Sequence, residues 1–177
     1  MTASITDTAY QKAIGILEGN LTKRGLVASR DWYKEVFARD SAITFIGASL
    51  LEDKRIYAAL KTTLATLVAG QDVCGMVPTC VHDDTGQANF GTIDSTAWVI
   101  VMHYVYYRCT GDKAFITKQY PALVRAVRCL QANGRRPDDC IWSQESDDWN
   151  DAWSNHGQTL FVNVVYQAAL KYMAVLA

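Results

Sequence analysis

Residues 145–153, ESDDWNDAW, set four acidic side chains, Glu145, Asp147, Asp148 and Asp151, beside two tryptophans, Trp149 and Trp153. Carboxyls in such a cluster suit general acid–base chemistry, because apolar contact and like charge raise a carboxyl's pKa toward the range where it donates a proton. Indole beside carboxylate also suits sugars, whose C–H faces pack on the ring while their hydroxyls hydrogen-bond to the acids. Spacing alone does not separate Asp147, Asp148 and Asp151 as the proton donor. A solvated acidic loop in which Asp148 or Asp151 makes local turn hydrogen bonds accounts for the same residues.

Other residues could join this cluster. Asp94 opens an apolar helical run, where its carboxylate caps free amides and still faces a ligand. Arg39 and Asp40 stand next to another apolar run, so burial would oblige them to pair or to bind ligand hydroxyls. Trp32 reads as a platform or as a core tryptophan. His103, inside an apolar helix, reads as a satisfied core histidine rather than a base, and His156 in the acidic loop is in place for a ligand contact. Cys74, Cys80, His82, Asp83 and Asp84 match no zinc spacing, so no metal is expected. The stretch TGQANFG lacks the strand and lysine of a phosphate loop, so neither nucleotide binding nor any other cofactor is expected.

The elements that must position these residues are helices. Apolar residues recur at three and four positions, only three prolines interrupt the chain, and no convincing strand is read. One amphipathic helix runs over 6–21 with Tyr10, Ala13, Ile14, Leu17 and Leu21 on one stripe. The next, 40–52, carries almost no charge between its ends; 53–69 is amphipathic again. The run from Ala97 to Tyr107 is apolar or aromatic except for His103, so it is expected buried on most of its circumference. Gly111 stops that helix and Asp112 caps the next, which spans 112–132, includes Pro121 near a bend and ends at NGRRP. A last helix, apolar nearly throughout, starts at Thr159.

Apolar helices alternating with amphipathic ones are what a double layer of hairpins requires, one inner and one outer helix in each. The expected fold is all-α: an incomplete α/α toroid of about six helices, with residues 1–177 as one domain. Two long irregular segments, 70–93 and 133–158, each precede an inner helix and would gather at one rim. At 177 residues, 50% hydrophobic and 20% charged, with a net charge of -1, the chain fits one globular unit without a basic field for nucleic acid. The five cysteines are too few and scattered for a disulfide scaffold, no secretory signal is seen, and the apolar run is too short for a membrane span. The expected location is cytoplasmic.

Five segments resemble the (α/α)6 barrel glycoside hydrolases, above all the glucosidase domain of glycogen debranching enzymes, with trehalases and neutral invertases as relatives. They are VFARDSAITFIGASLLEDKRIYAALKTTL, GMVPTC, TIDSTAWVIVMHYVYYRCTGDKAF, DDWNDAW and HGQTLFVNVVYQAALKYMAVLA, in the family's order. The resemblance implies that Asp151 is the general acid of an inverting glucosidase acting on α-glucosidic bonds. It also implies that Arg39, Asp40, Asp94, Trp98, Asp148 and Trp149 contact the sugar. Ala38 departs from the family, where tryptophan or glycine usually precedes the arginine. Inversion needs a second carboxylate, about 6.5–9.5 Å from the first, to activate water. In the family that base is a glutamate near the end of the barrel's second half, so this chain is expected to supply the first half. A missing C-terminal half or a second copy of the chain would close the ring. The alternative is a half-toroid that binds sugar or serves assembly without turnover. A toroid of the prenyltransferase or cyclase kind would demand a metal cluster or an aspartate-rich helix.

Overall fold

The computed structural model describes residues 4–133, 139–150 and 152–177. Helix α1 spans Ile5–Gly19 and opens with a capping box: Ser4 Oγ accepts from the Asp7 amide, and the Asp7 carboxylate accepts from the Ser4 amide. The helix stops two residues short of Leu21, which instead enters a two-residue pairing of β1 (Leu21–Thr22) with β2 (Gly25–Leu26). No residue of α1 is buried; Ile5, Tyr10 and Ile16 are exposed, while Leu17 packs against the core.

Strand β3 (Glu35–Phe37) runs directly into α2 (Ala38–Ala48), which ends in a short 3-10 turn over Ser49–Leu51. Asp53 then caps α3 (Lys54–Ala69) by accepting from the Arg55 amide at 2.7 Å. The segment before the next helix contains a hairpin, β4 (Cys80–His82) and β5 (Ala88–Asn89), and β4 also pairs with β3 in a three-stranded antiparallel sheet. These five short strands were not expected. Each is two or three residues long, too short for an alternating pattern to register in sequence.

Helix α4 (Asp94–Thr110) follows, then α5 (Lys113–Asn133) and α6 (Leu160–Leu176). Gly111 adopts the left-handed conformation that ends α4, and Asp112 Oδ1 accepts from the Phe115 amide at the start of α5. Helix α5 continues through Pro121.

One hydrophobic core joins these helices, and α4 is its centre, packing against α2, α3, α5 and α6. Helices α2, α4 and α6 form a row, with the amphipathic α3 and α5 against α4 as an outer layer. Position in the row decides burial. In α4, Ala97, Val99, Ile100 and Met102 are fully buried. The equally apolar helices at either end of the row leave one face uncovered: Ile43 and Ile46 on α2, Leu160, Val164 and Val175 on α6. This all-α arrangement of six helices among the described residues fits an incomplete α/α toroid. No helix among the described residues is long and apolar enough to cross a membrane.

Candidate active site

The small sheet fixes where two helices begin. The Ala38 amide donates to the Thr79 carbonyl at 2.9 Å, which ties the start of α2 to the residue before β4. Thr79 Oγ1 accepts from the amides of Gly91 and Thr92, both at 2.9 Å, and so ties the approach to α4 to the same residue. The first turns of α2 and α4 are thereby brought together.

At that junction Arg39 Nη1 donates to Asp94 Oδ2 at 2.9 Å. Asp94 is fully buried and the Arg39 side chain is 19% exposed. A buried carboxylate costs several kcal/mol unless it is paired, and here the guanidinium and the positive end of α4 both offset that cost. Asp94 was expected to cap free amides. Instead Ile93 occupies the cap position, and the Asp94 carboxylate is turned toward Arg39.

The pairing leaves one oxygen unused. Asp94 Oδ1 is buried without a hydrogen-bond partner among the described residues, and so is Trp98 Nε1. Residues four apart on a helix share a face, so an unused acceptor and an unused donor stand one turn apart on α4. A buried polar group left unpaired costs about 1–3 kcal/mol.

The acidic loop is held against this same helix end. Its base is closed by two reciprocal pairs. Ser143 and Gly157 exchange amide-to-carbonyl bonds of 2.8 and 2.9 Å, and the Asn163 side chain accepts from the Ile141 amide at 2.8 Å and donates to its carbonyl at 3.1 Å. Gly157 has φ +98°, a conformation that other residues reach only with strain. Asp147 then clamps the loop to α4: Oδ1 accepts from the Ile93 amide at 2.8 Å and Oδ2 from the Gln144 amide at 3.1 Å. Burial raises the Asp147 pKa, the two amides pull it down, and the nearby carboxylates of Asp94 and Asp148 push it up again, for a net rise. Asp148 is itself buried, with Oδ1 accepting from the Asn150 amide and Oδ2 from Asn155 Nδ2. That is the local turn arrangement weighed from sequence.

An aromatic row extends from the helix face into the loop. The Trp98 ring lies 6.5 Å from Phe161 of α6, and Phe161 lies 6.2 Å from Trp149. Trp149 is 57% exposed; Trp153 and Trp32 are more exposed still, so Trp32 is no core residue. Asp40 is exposed and does not pair with Arg39; both line a cleft of about 440 Å³ between α1 and α2. Asp151 lies outside the described residues.

Other candidates stand apart. His103 is fully buried and stacked on Phe115, with Nδ1 at 2.8 Å from the Val99 carbonyl, and its Nε2 has no partner among the described residues. His82 pairs with Glu35 across β4 and β3 at 3.2 Å, and His156 is exposed. Among the described residues no three metal-ligating side chains gather.

Two participants escaped the sequence reading. Phe161 looked like one more apolar residue of a buried helix, and Asp147 was weighed only as an acid or as a pKa neighbour. The signal for Asp147 was present only as its place in the acidic run, since its partner Ile93 is 54 positions away.

A family model described as amylo-alpha-1,6-glucosidase matches residues 9–173. The chain belongs to the amylo-α-1,6-glucosidase family. That places it among glycosidase-type proteins related to glycogen debranching enzymes. A comparison with curated proteins returned no match.

Proposed function

We propose that the junction of α2, α4 and the acidic loop binds a glucosyl unit for an inverting glucosidase of the debranching type. The observation that carries this reading is the buried pair of unused groups, Asp94 Oδ1 and Trp98 Nε1. A hydroxyl both donates and accepts, so a sugar hydroxyl complements one acceptor and one donor on the same helix face. Arg39 holds the Asp94 charge in place, Asp40 contacts the ligand from the exposed side, and Trp149 packs on the sugar ring, with Asp148 keeping the loop in shape. Both atoms are closed to solvent, so sugar entry requires the side chains packed over them to move.

Asp151 is the general acid in this reading, carried on the loop beside Trp149. The water-activating carboxylate is supplied from outside the elements described. The uncovered apolar faces of α2 and α6 support further helical hairpins, or a second copy of the chain, completing the ring, since wet apolar surface costs roughly 25 cal/mol per Å². A cytoplasmic location goes with this reading and is supported by five cysteines, all free of disulfides.

The test is glucose release from an α-1,6-branched maltooligosaccharide and from trehalose by the completed ring, with the base-bearing half or second copy present, for the wild type and for Asp151→Asn. Loss of release in the variant is the expected result. Equal release by both removes Asp151 from catalysis, and sugar binding without release by either favours a binding module.

A further inference from the structure

The turn between β1 and β2 fixes the stem of one arginine. The Arg24 amide donates to Thr22 Oγ1 at 3.2 Å, its carbonyl accepts from Thr66 Oγ1 at 2.7 Å, and its Nε donates to the Asp83 carbonyl at 2.6 Å. The guanidinium lies across Gly86, where φ is +74° and an added Cβ would meet Nη2 at 3.0 Å. The Asp83 carboxylate is turned away onto Thr22, whose Oγ1 donates to it at 2.7 Å. Among the described residues no carboxylate pairs with Arg24. Among the described residues neither terminal nitrogen makes a hydrogen bond, while Nε is already held by the Asp83 carbonyl.

Arg24 lines a cavity of about 780 Å³ between α3 and the start of α5, where Ala65, Ala69 and Gly70 present almost no side chain. Three cations line it, Arg24, Lys61 and Lys118, against a single carboxylate, Asp112. Asp112 is already matched: Lys61 Nζ donates to it at 2.7 Å and also lies over the Phe115 ring. Among the described residues Arg24 and Lys118 have no ion-pair partner, in a chain whose net charge is -1. The cavity shares no lining residue with the Arg39–Asp94 junction or with its cleft.

We propose that this groove is a second site, for a phosphate monoester on a polyhydroxylated body. A planar guanidinium with two free nitrogens matches two phosphate oxygens, and a preorganised fork loses less entropy on binding than a free side chain does. Lys118 supplies a second positive charge from α5. Thr62 and Gln119, in the same lining, offer hydrogen bonds to hydroxyls. The inference stands apart from the proposed activity, because no residue of that site takes part.

Calorimetric titration of the full chain at low salt with inorganic phosphate and with glucose 6-phosphate tests it. Glucose 6-phosphate is expected to bind more tightly than inorganic phosphate, and Arg24→Gln to weaken it about tenfold. Lys118→Gln, at an exposed position with no bond to lose, is expected to weaken it as well, which separates lost charge from a disturbed turn. Trp98→Phe is expected to leave it unchanged. No binding of either phosphate, or equal affinity in the wild type and both variants, overturns the proposal. Equal affinity for the two phosphates overturns the contacts assigned to Thr62 and Gln119.

Discussion

At the scale of single residues, three buried polar atoms of α4 lack partners among the described residues: Asp94 Oδ1, Trp98 Nε1 and His103 Nε2. They divide into two groups by face. Asp94 and Trp98 lie together at the helix start, beside Arg39 and the loop, and are assigned to ligand. His103 is nine positions from Asp94, half a turn away in angle, and is packed on Phe115 instead. Burial pushes the His103 pKa down to about 4 from its ordinary 6.5. The unfolded chain therefore binds a proton that the folded chain refuses between pH 6.5 and 4. Stability is full above that window and falls as pH drops through it, by about 3 kcal/mol in total. Urea unfolding across this range is expected to show the loss, and His103→Leu to flatten it. A profile unchanged by the substitution would contradict the buried neutral state. Asp147, with its raised pKa, contributes in the opposite direction. Asp112, held down to about 2 by Lys61 and the Phe115 amide, adds its own loss only below the ordinary carboxylate range.

At the scale of elements, legibility in sequence followed length and period. Helices α3 to α6 were readable because each carries several turns of apolar repeat between recognisable caps, such as Asp53 before α3 and Gly111 after α4. The three-stranded sheet was not readable, yet it brings Arg39 and Asp94 together. Arg39 and Asp94 each stood out in the sequence beside an apolar run, but their pairing did not, because the partners are 55 positions apart. Of the apolar stripe expected on α1, only Leu17 packs against the core within the helix, because pattern alone does not reveal whether a partner surface is at hand. A helix with no buried residue gains little from tertiary packing and opens cheaply, whereas α4 opens only with the whole core. Native-state hydrogen exchange is expected to show α1 amides exchanging by local opening and α4 amides near 99–102 only by global unfolding. Equal protection of the two helices would contradict this ordering.

At the scale of the whole molecule, helices share the work in layers. The acidic loop is tied to the starts of α4 and α6, the outer helices α3 and α5 back the row, and the sheet holds the starts of α2 and α4 together. Apolar surface left at both ends of the row is the reason to expect a larger ring. The polar groups at its rim are the reason to expect carbohydrate there. The central claim is that the rim's unused donor and acceptor take a sugar hydroxyl, and the Trp98 indole N–H reports on it directly. In nitrogen–proton correlation spectra of the chain, that signal is identified by its disappearance in Trp98→Phe. Titration with a maltooligosaccharide is expected to shift it saturably, together with the Trp149 indole signal. Saturable binding that moves other tryptophan signals and leaves Trp98 untouched would contradict the account.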